Sequence, residues 1–470
     1  MTFVAISAVM GPLKEHFVLT NEQVGWIGGA AMWGFTITIL TFGSLCDVVG
    51  MKLVLRLAVL GHCCGALLMI FANGFTMLFA GALTLSMADG LVQAACNPLV
   101  ATIYADRKTE MFNRLHLWFP GGIVIGGLLA FTLDRLPIGN WQVKLALILL
   151  PAMTYGVLFL GQRFPATERV QSGVSFGQMF RETWLRPLFL VLMVSMMMTA
   201  SVELGPNRWV PAVLESAGIP GILVLVWINL LMAILRYFAG PIGRRISPTG
   251  ILLCSAILSG LGLFWLSYAE TLPMAIAAGT VFALGIAYFW PTMIGVTSER
   301  VPKGGALALA VMGATGMVFV GVVTAPMMGR VADSHLNEKL PVEGTLACLR
   351  RVIEDYPDLK AQAESGRGGD VQRAIDDARN VLAVAERTGA LPEIDTAHAL
   401  RSAVTVAPQS PAAKQAKGLL GPAENYGGRI SFRWVALLTV LLTAIFGALF
   451  VSDRLRGGYQ AERLASEDTA

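Results

Sequence analysis

The chain has 470 residues, of which 55% are hydrophobic and only 14% are charged, and this is far more apolar than a soluble globular protein. The formal net charge of +4 is carried by basic residues scattered through short loops, so we predict no nucleic-acid-binding surface. The sequence offers no P-loop, metal-ligand spacing or nucleophile elbow, and we therefore predict neither an enzyme, an ATP-driven pump nor a cofactor.

Apolar residues gather in about a dozen blocks, most of them near the length of about 20 residues that a helix needs to cross a bilayer. The blocks fall near residues 1–13, 24–45, 53–72, 76–104, 114–133, 141–160, 186–206, 219–239, 249–268, 271–297, 305–330 and 432–452. This pattern predicts an all-α polytopic membrane protein with twelve transmembrane helices. The first block is short, so we expect either a truncated N-terminus or a first helix that begins inside the membrane.

The loop after the second block reads Gly-Ser-Leu-Cys-Asp-Val-Val-Gly-Met-Lys, from Gly43 to Lys52. It resembles the loop between helices 2 and 3 of the major facilitator superfamily of secondary transporters. The resemblance implies two six-helix bundles related by pseudo-symmetry, and a degraded echo at Gly240–Ile246 in the second half agrees with a repeat. It also implies that this loop belongs to the gate. The gating residues predicted here are Gly43, Asp47, Gly50, Lys52, Arg236 and Arg244.

Within the third block, the three consecutive residues His62, Cys63 and Cys64 look like a set of metal ligands. Neighbouring residues on a helix diverge by about 100°, so they cannot converge on one ion, and we interpret them as packing residues.

A polar stripe marks the fourth block, where Asp89, Gln93 and Asn97 follow one another at intervals of four residues. That spacing places all three on one face of a helix. Polar groups that face lipid are costly, so we expect the stripe to face a central cavity. The alternative is that these side chains bond neighbouring helices together.

A narrower resemblance covers Gln93–Pro98, Asn113–His116 and Phe119–Gly122, which look like the fucose:proton symporter branch of the superfamily. In that branch a Glu at the position of Gln93 serves in sugar binding and proton coupling. Glutamine cannot titrate. Asp89 is therefore the first proton-coupling candidate, although an uncoupled uniporter is equally permitted.

Helix 7 of the same branch resembles the seventh block, where Glu203 precedes Trp209. Two prolines predict a bent helix there. Glu203 is the second candidate for proton or substrate handling, and the alternative is a structural pair with Arg208. His116 is the third candidate, with a backbone-bonded histidine as its alternative.

Amides and aromatic rings together suit a sugar, since they offer hydrogen bonds and an apolar platform. Each ring, taken singly, also fits ordinary packing. The predicted substrate-binding residues are Gln93, Asn97, Asn229, Trp118 and Trp290.

Lys and Arg concentrate in the loops on the side of Gly43–Lys52, which predicts that this side is cytoplasmic and that both termini lie there, in a multi-pass protein of the cell membrane. Apolar periodicity predicts helices around 342–353 and 371–386 in a polar exoplasmic insert, followed by a linker at Leu420–Gly428. The insert covers the rim of the bundle or binds a partner or ligand. The predicted divisions are an N-terminal bundle 1–161, a loop 162–185, helices 7 to 11 in 186–331, the insert 332–430, helix 12 in 431–452 and a tail 453–470.

The function predicted from these features is secondary active transport of a small polar solute, a sugar in first place, by alternating access with coupling to protons or another cation. The partners are the lipid bilayer, a sugar-like molecule and protons. The alternatives are an exporter or uniporter of another small organic solute, and a non-transporting receptor that senses a ligand through its insert.

Overall fold

The computed structural model describes residues 2–17, 19, 21–136, 140–362 and 368–464, and in these ranges the chain forms helices, turns and bends but no strand. The first part of the chain contains α1 (Thr2–His16), α2 (Asn21–Val49), α3 (Met51–Ile70), α4 (Phe75–Ile103), α5 (Lys108–His116), α6 (Trp118–Leu133), α7 (Trp141–Ala146) and α8 (Leu149–Leu160). Two short helices follow, α9 (Glu168–Gln171) and α10 (Phe176–Leu185).

The second part contains α11 (Pro187–Glu215), α12 (Gly221–Tyr237), α13 (Ala239–Gly243), α14 (Pro248–Leu266), α15 (Leu272–Ile286), α16 (Phe289–Arg300), α17 (Gly305–Phe319) and α18 (Ala325–Leu336). A π-helical turn, Val320–Thr324, joins α17 to α18, and short 3₁₀ turns lie at Pro302–Gly304 and Asn337–Lys339. The chain continues with α19 (Val342–Gln362), α20 (Gly368–Thr388), α21 (Glu393–Val406) and α22 (Pro411–Leu455).

Ten helical stretches in the described residues are long and apolar enough to cross a membrane, and two shorter apolar helices, Val4–Lys14 and Gly221–Tyr237, accompany them. The prediction of an all-α, multi-pass membrane protein is thereby confirmed. We call the end of the bundle that carries Gly50 the loop end, and the opposite end, from which α19–α21 project, the insert end.

Three of the predicted helices are interrupted just before a proline, where α5 gives way to α6, α7 to α8 and α15 to α16, and the first and last of these breaks lie at the candidate site. Proline has no N–H, so the carbonyl four residues before it loses its helical partner. Pro120 does this to the carbonyl of His116, where α5 gives way to α6, and Pro291 does it to Ala287, where α15 gives way to α16. Each interruption therefore leaves a backbone acceptor inside the bundle.

Apolar side chains hold the two parts together as well as filling each of them. The helices of the second part share one large buried cluster, which includes Phe189, Phe282 and Phe446. A smaller cluster contains Ile39 of α2 and Ala310 of α17, so it joins the first part to the second.

The segment between α18 and the apolar part of α22 has its own core. Buried residues such as Leu349, Tyr356, Ala378 and Leu400 pack α19, α20 and α21 against the first turns of α22. The helices predicted at 342–353 and 371–386 fall within α19 and α20.

The linker predicted at Leu420–Gly428 is wrong, because these residues lie inside α22, which begins at Pro411 rather than at residue 431. The glycines in this stretch allow close packing instead of flexibility, because a Cβ on Gly427 would lie 2.2 Å from the carbonyl oxygen of Ala332. The predicted boundary between 331 and 332 also falls inside α18. The other divisions remain predictions.

Tyr356 offers a test of the core around α19–α21. Its buried hydroxyl donates to the carbonyl of Ala403 at 2.7 Å, so Tyr356→Phe removes this bond between α19 and α21 and leaves the carbonyl with only the N–H of Ala407, at 3.3 Å. We expect a cost of about 1 kcal/mol. Amide hydrogen exchange in α19 and α21 of the full-length protein should accelerate several-fold. Tyr426→Phe, which removes an exposed bond to Glu338, is the control and should change exchange little. Equal exchange in both variants would contradict this assignment.

Candidate functional site

Arg236 on α12 is buried, with 1% of its surface exposed, and every nitrogen of its guanidinium is engaged. Nη2 donates to Oε1 of Glu203 at 2.8 Å, Nε donates to the carbonyl of Ala287 at 2.6 Å, and Nη1 donates to the carbonyl of His116 at 2.9 Å. These two carbonyls are the ones that the prolines leave without helical partners. The arginine therefore completes the hydrogen bonding of two interrupted helices.

The same bonds tie the two parts of the chain to each other. Glu203 lies on α11 and Ala287 follows α15, both in the second part, while His116 ends α5 in the first part. A buried guanidinium that lost its carboxylate would be left as an uncompensated charge, at a cost of about 3–5 kcal/mol. The interaction is therefore both a structural support and a point where the two parts meet.

Glu203 is buried on α11 and uses both carboxylate oxygens. Oε1 pairs with Arg236, and Oε2 accepts from the backbone N–H of Trp290 at 3.3 Å. The alternative pairing with Arg208 is wrong, because the carboxylate of Glu203 is bound to Arg236 instead. Arg208 lies 3.8 Å from the sulfur of Met32.

One turn along α11 from Glu203, a pair of amides continues the polar contact with α12. Asn229 Nδ2 donates to the carbonyl of Leu225 at 2.9 Å and lies 3.4 Å from Oδ1 of Asn207. Asn207 and Glu203 are four residues apart on α11, and Asn229 lies two turns before Arg236 on α12. The four side chains thus form a ladder along the α11–α12 contact.

Several buried acceptor atoms on α4, α5 and α12 receive no hydrogen bond from any described residue. The Nδ1 of His116 lies 2.9 Å from the carbonyl of Phe112 and so carries the proton, which leaves Nε2 as an acceptor. Each unpaired buried acceptor costs about 1–3 kcal/mol. Each of these atoms is therefore a position where a hydrogen-bond donor from another molecule would be favourable. The atoms are Gln93 Oε1, Asn97 Oδ1, Asn113 Oδ1, His116 Nε2 and Asn229 Oδ1.

Asp89 lies in a different environment from Glu203. Its Oδ1 is 3.0 Å from Nε2 of His62, whose Nδ1 is 2.9 Å from the hydroxyl of Tyr155, and its side chain is 44% exposed. Thr2 Oγ1 lies 3.5 Å from the same carboxylate oxygen. Within the described residues, Asp89 bonds only Thr2 on α1 and His62 on α3, and His62 continues the contact to Tyr155 on α8. None of these bonds connects Asp89 to Arg236.

His62 was interpreted from the sequence as a packing residue, and its bond to Asp89 was not foreseen. The described residues contain no group of three His, Cys, Asp or Glu side chains that could hold a metal ion, and His62 instead lies within hydrogen-bond distance of Asp89 and Tyr155. The two predicted tryptophans also differ. Trp290 is 9% exposed and bonds Glu203 through its backbone, whereas Trp118 is 66% exposed.

At the loop end, the Gly43–Lys52 motif binds the segment that connects the two parts. The buried carboxylate of Asp47 accepts from Arg169 Nε at 2.6 Å and from Thr167 Oγ1 at 2.5 Å. Lys52 Nζ donates to the carbonyl of Gln162 at 2.7 Å. Gly50 has a φ of +83°, which a residue with a side chain rarely adopts. Arg244, the predicted gate residue of the echo motif, is exposed beyond α13.

Glu299 at the end of α16 binds both α5 and the C-terminal segment at the loop end. Its Oε1 accepts from the N–H and hydroxyl of Thr109 on α5, at 3.0 and 2.8 Å. Its Oε2 accepts from the hydroxyl of Tyr459 at 2.6 Å, and its carbonyl accepts from the N–H of Glu462 at 2.8 Å. Burial, together with the Glu299 carboxylate, raises the pKa of Tyr459 well above its usual value, so the hydroxyl remains a donor.

The C-terminal segment 456–464 thereby crosses the loop end. Glu462 pairs with Arg186 at the start of α11, and Arg463 lies 2.9 Å from Asp106 in the first part of the chain. Together with Thr109 and Glu299, these contacts hold the two parts of the chain against each other at this end.

The chain matches the family model described as Major Facilitator Superfamily over residues 1–334. It is 21% identical to the putative niacin/nicotinamide transporter NiaP of Bacillus subtilis over 71% of this chain and 85% of that protein. It is 28% identical to the arabinose-proton symporter of Escherichia coli K12 over 33% of this chain and 32% of that protein. Its fold is similar to that of the Major Facilitator Superfamily transporter FucP in the outward conformation, with a TM-score of 0.56, 16% identity and coverage of 71% and 90% of the two chains.

Gly43 provides a test of closure at the loop end. A Cβ on Gly43 would lie 2.1 Å from Cβ of Ala310, so Gly43→Ala forces α2 away from α17. We expect faster amide hydrogen exchange in α5 and α16, whose bonds to each other require this closure. Gly28→Ala, on the same helix in open space, is the control and should behave as the unmodified protein.

The double variant Gly43→Ala/Ala310→Gly restores the space and should restore slow exchange. If amide exchange stays slow in Gly43→Ala, or stays fast in the double variant, the contact between Gly43 and Ala310 is not what closes the loop end.

Proposed function

We propose that this chain, which belongs to the Major Facilitator Superfamily, carries a small hydroxyl-bearing solute of the sugar class across a cell membrane by alternating access. Membership of the family makes the chain a transporter of small solutes rather than an enzyme. The observation that carries the choice of solute is the set of unpaired buried acceptor atoms on α4, α5 and α12. The set includes atoms of His116, whose carbonyl binds Arg236, and of Asn229 on the helix of Arg236.

The architecture that we propose has twelve transmembrane helices in two pseudo-symmetric bundles. The ten long apolar stretches and the two shorter helices supply that number. The basic loops support a cytoplasmic loop end with both termini on that side, which places α19–α21 on the exoplasmic side. In this arrangement the closed loop end makes the present conformation one that admits solute from the insert end.

The chemistry of the acceptors supports a hydroxyl-rich solute. A carboxylate is itself only an acceptor and cannot satisfy amide oxygens or the unprotonated nitrogen of His116. A hydroxyl donates a proton to such atoms and still accepts a bond from a donor. Gln93, Asn97 and Asn229 are therefore proposed to bind solute hydroxyls, with the ring of Trp290 beside them.

The arginine at the site supports the same choice. All three kinds of nitrogen in Arg236 are already bonded within the protein, and its charge is balanced by Glu203. It therefore offers no free guanidinium to an acidic solute. A relative is named as a niacin/nicotinamide transporter, so nicotinate is the acidic solute against which the proposal is tested.

We propose Glu203 as the proton-coupling residue, with Asp89 and His116 as the alternatives. A proton on Glu203 would cancel the charge that holds Arg236, and Arg236 also binds the first part of the chain through His116. Protonation at this position would therefore weaken a contact between the two parts. Asp89 has its bonds within the first part only, so its protonation has no comparable link to opening.

Asn229 tests solute recognition. Asn229→Leu removes one unpaired acceptor, and we expect the KM for uptake of a labelled sugar into proteoliposomes to rise about tenfold or more, with a smaller change in kcat. Asn337→Leu is the control, because Asn337 also has a buried unpaired oxygen but lies outside the helical bundle. The library comprises pentoses, hexoses and nicotinate. If nicotinate competes and no sugar does, the sugar class is rejected. If no solute is taken up but ligands change the conformation of the cytoplasmic side, the receptor is favoured.

Glu203→Gln and Asp89→Asn together test coupling. Glutamine keeps an acceptor for Arg236 but cannot titrate, so exchange of solute should persist while accumulation driven by a pH gradient is lost. Asp89→Asn should keep both activities. Accumulation that survives in Glu203→Gln and disappears in Asp89→Asn would transfer the coupling role to the Asp89–His62 pair.

A further inference from the structure

An apolar groove with a volume of about 520 Å³ lies along an exposed face of the bundle, between α14 and α22. Small residues on both helices form part of its lining, and they include Ala256, Gly260 and Ala436. Exposed side chains such as Leu261 and Val440 stand along it. Because both helices are long and apolar enough to span a membrane, this face meets the acyl chains of the bilayer.

Arg433 lies at the end of the groove that is nearer the insert. Its Nε donates to Oγ of Ser267 at 3.1 Å, and its guanidinium lies 4.1 Å from the centre of the Tyr268 ring. Among the described residues no carboxylate pairs with it, so its terminal nitrogens keep their capacity to bind an anion. The side chain is therefore held in place without being neutralised.

The surroundings of Arg433 are those of a membrane edge with an excess of positive charge. Arg429, one turn earlier, donates to the carbonyl of Ser267 at 2.6 Å and lies 3.5 Å from the exposed carboxylate of Glu270. Two guanidiniums thus stand near one carboxylate. Trp434 lines the groove, and aromatic residues of this kind are typical of the interface between acyl chains and headgroups.

The geometry points to a binding site for one anionic phospholipid, with an acyl chain in the groove and the phosphate on Arg433. A guanidinium binds phosphate oxygens through two parallel hydrogen bonds, and basic pockets between transmembrane helices bind lipid headgroups. The apolar groove requires the hydrocarbon chain, and the uncompensated charge requires the anionic head. The excess of positive charge selects phosphatidylglycerol over a zwitterionic lipid with the same chains.

The first experiment compares phosphatidylglycerol and phosphatidylcholine of identical acyl composition, titrated into the full-length protein in detergent and followed by native mass spectrometry. Arg433→Gln should weaken the binding of phosphatidylglycerol about tenfold and leave phosphatidylcholine unchanged. Arg454→Gln makes the same charge change at the other end of α22 and is the control. Equal binding of both lipids to the unmodified protein, or equal losses in both variants, would overturn the proposal.

A second pair of variants tests the groove without altering charge. Val440 and Leu441 are adjacent and similarly exposed, at 65% and 57%, but only Val440 lines the groove. Val440→Trp should fill the groove and weaken phosphatidylglycerol binding, whereas Leu441→Trp should not.

Two further outcomes would reassign the site. Displacement of the lipid by millimolar inorganic phosphate would make it a small-anion site. Loss of a dimer in Val440→Trp, with lipid binding unchanged, would assign the groove to a second copy of the chain. Neither readout depends on which solute is transported, so this proposal and the proposed function can fail separately.

Discussion

The structure depends on how a buried arginine is accommodated in an apolar interior. Arg236 can lie there only because a carboxylate balances its charge and two backbone carbonyls accept its remaining donors. Those carbonyls are free to accept from Arg236 because Pro120 and Pro291 lack the N–H groups that would otherwise bind them. Charge, proline positions and helix breaks are therefore parts of one arrangement, and none of them is stable in this form without the others.

This arrangement is continuous with the closure of the loop end. Arg236 reaches α5 through the last carbonyl of that helix, and the first turn of α5 is bound by Glu299 through Thr109. Both ends of α5 are thus tied to the second part of the chain. The C-terminal segment adds a further contact, because Tyr459 binds the same Glu299 carboxylate. Movement of α5 would therefore have to break bonds at several separate points.

The sequence was sufficient for the class of fold, because a dozen apolar blocks in one chain have few other solutions, and for the family, because the Gly43–Lys52 motif is specific. It identified Glu203, Asn229 and Arg236 singly but not as one cluster, since their pairing depends on the register of α11 against α12. The bond of His62 to Asp89 follows from how α3 and α4 pack against each other. Gly65 lies in close contact with Leu85, and this register places His62, one turn earlier on α3, beside Asp89, one turn later on α4. The prediction of a linker at Leu420–Gly428 was wrong because this stretch continues α22, where Gly427 allows the helix to pack closely against Ala332.

The bond between Arg236 and His116 also bears on how a solute would be recognised during opening. If α5 moves away from α12, Nη1 loses its acceptor, and the unpaired acceptors of Asn229 and of the His116 ring remain without donors. A carboxylate on the solute could accept from Arg236 but could not donate to Asn229 or His116. A cationic group that carries N–H donors could donate to Asn229 or His116 but could not accept from Arg236. A hydroxyl supplies both, since it accepts from Arg236 while it donates to an amide oxygen. On the function proposed above, a solute with several hydroxyls would therefore supply both the acceptor and the donors that the opened arrangement lacks.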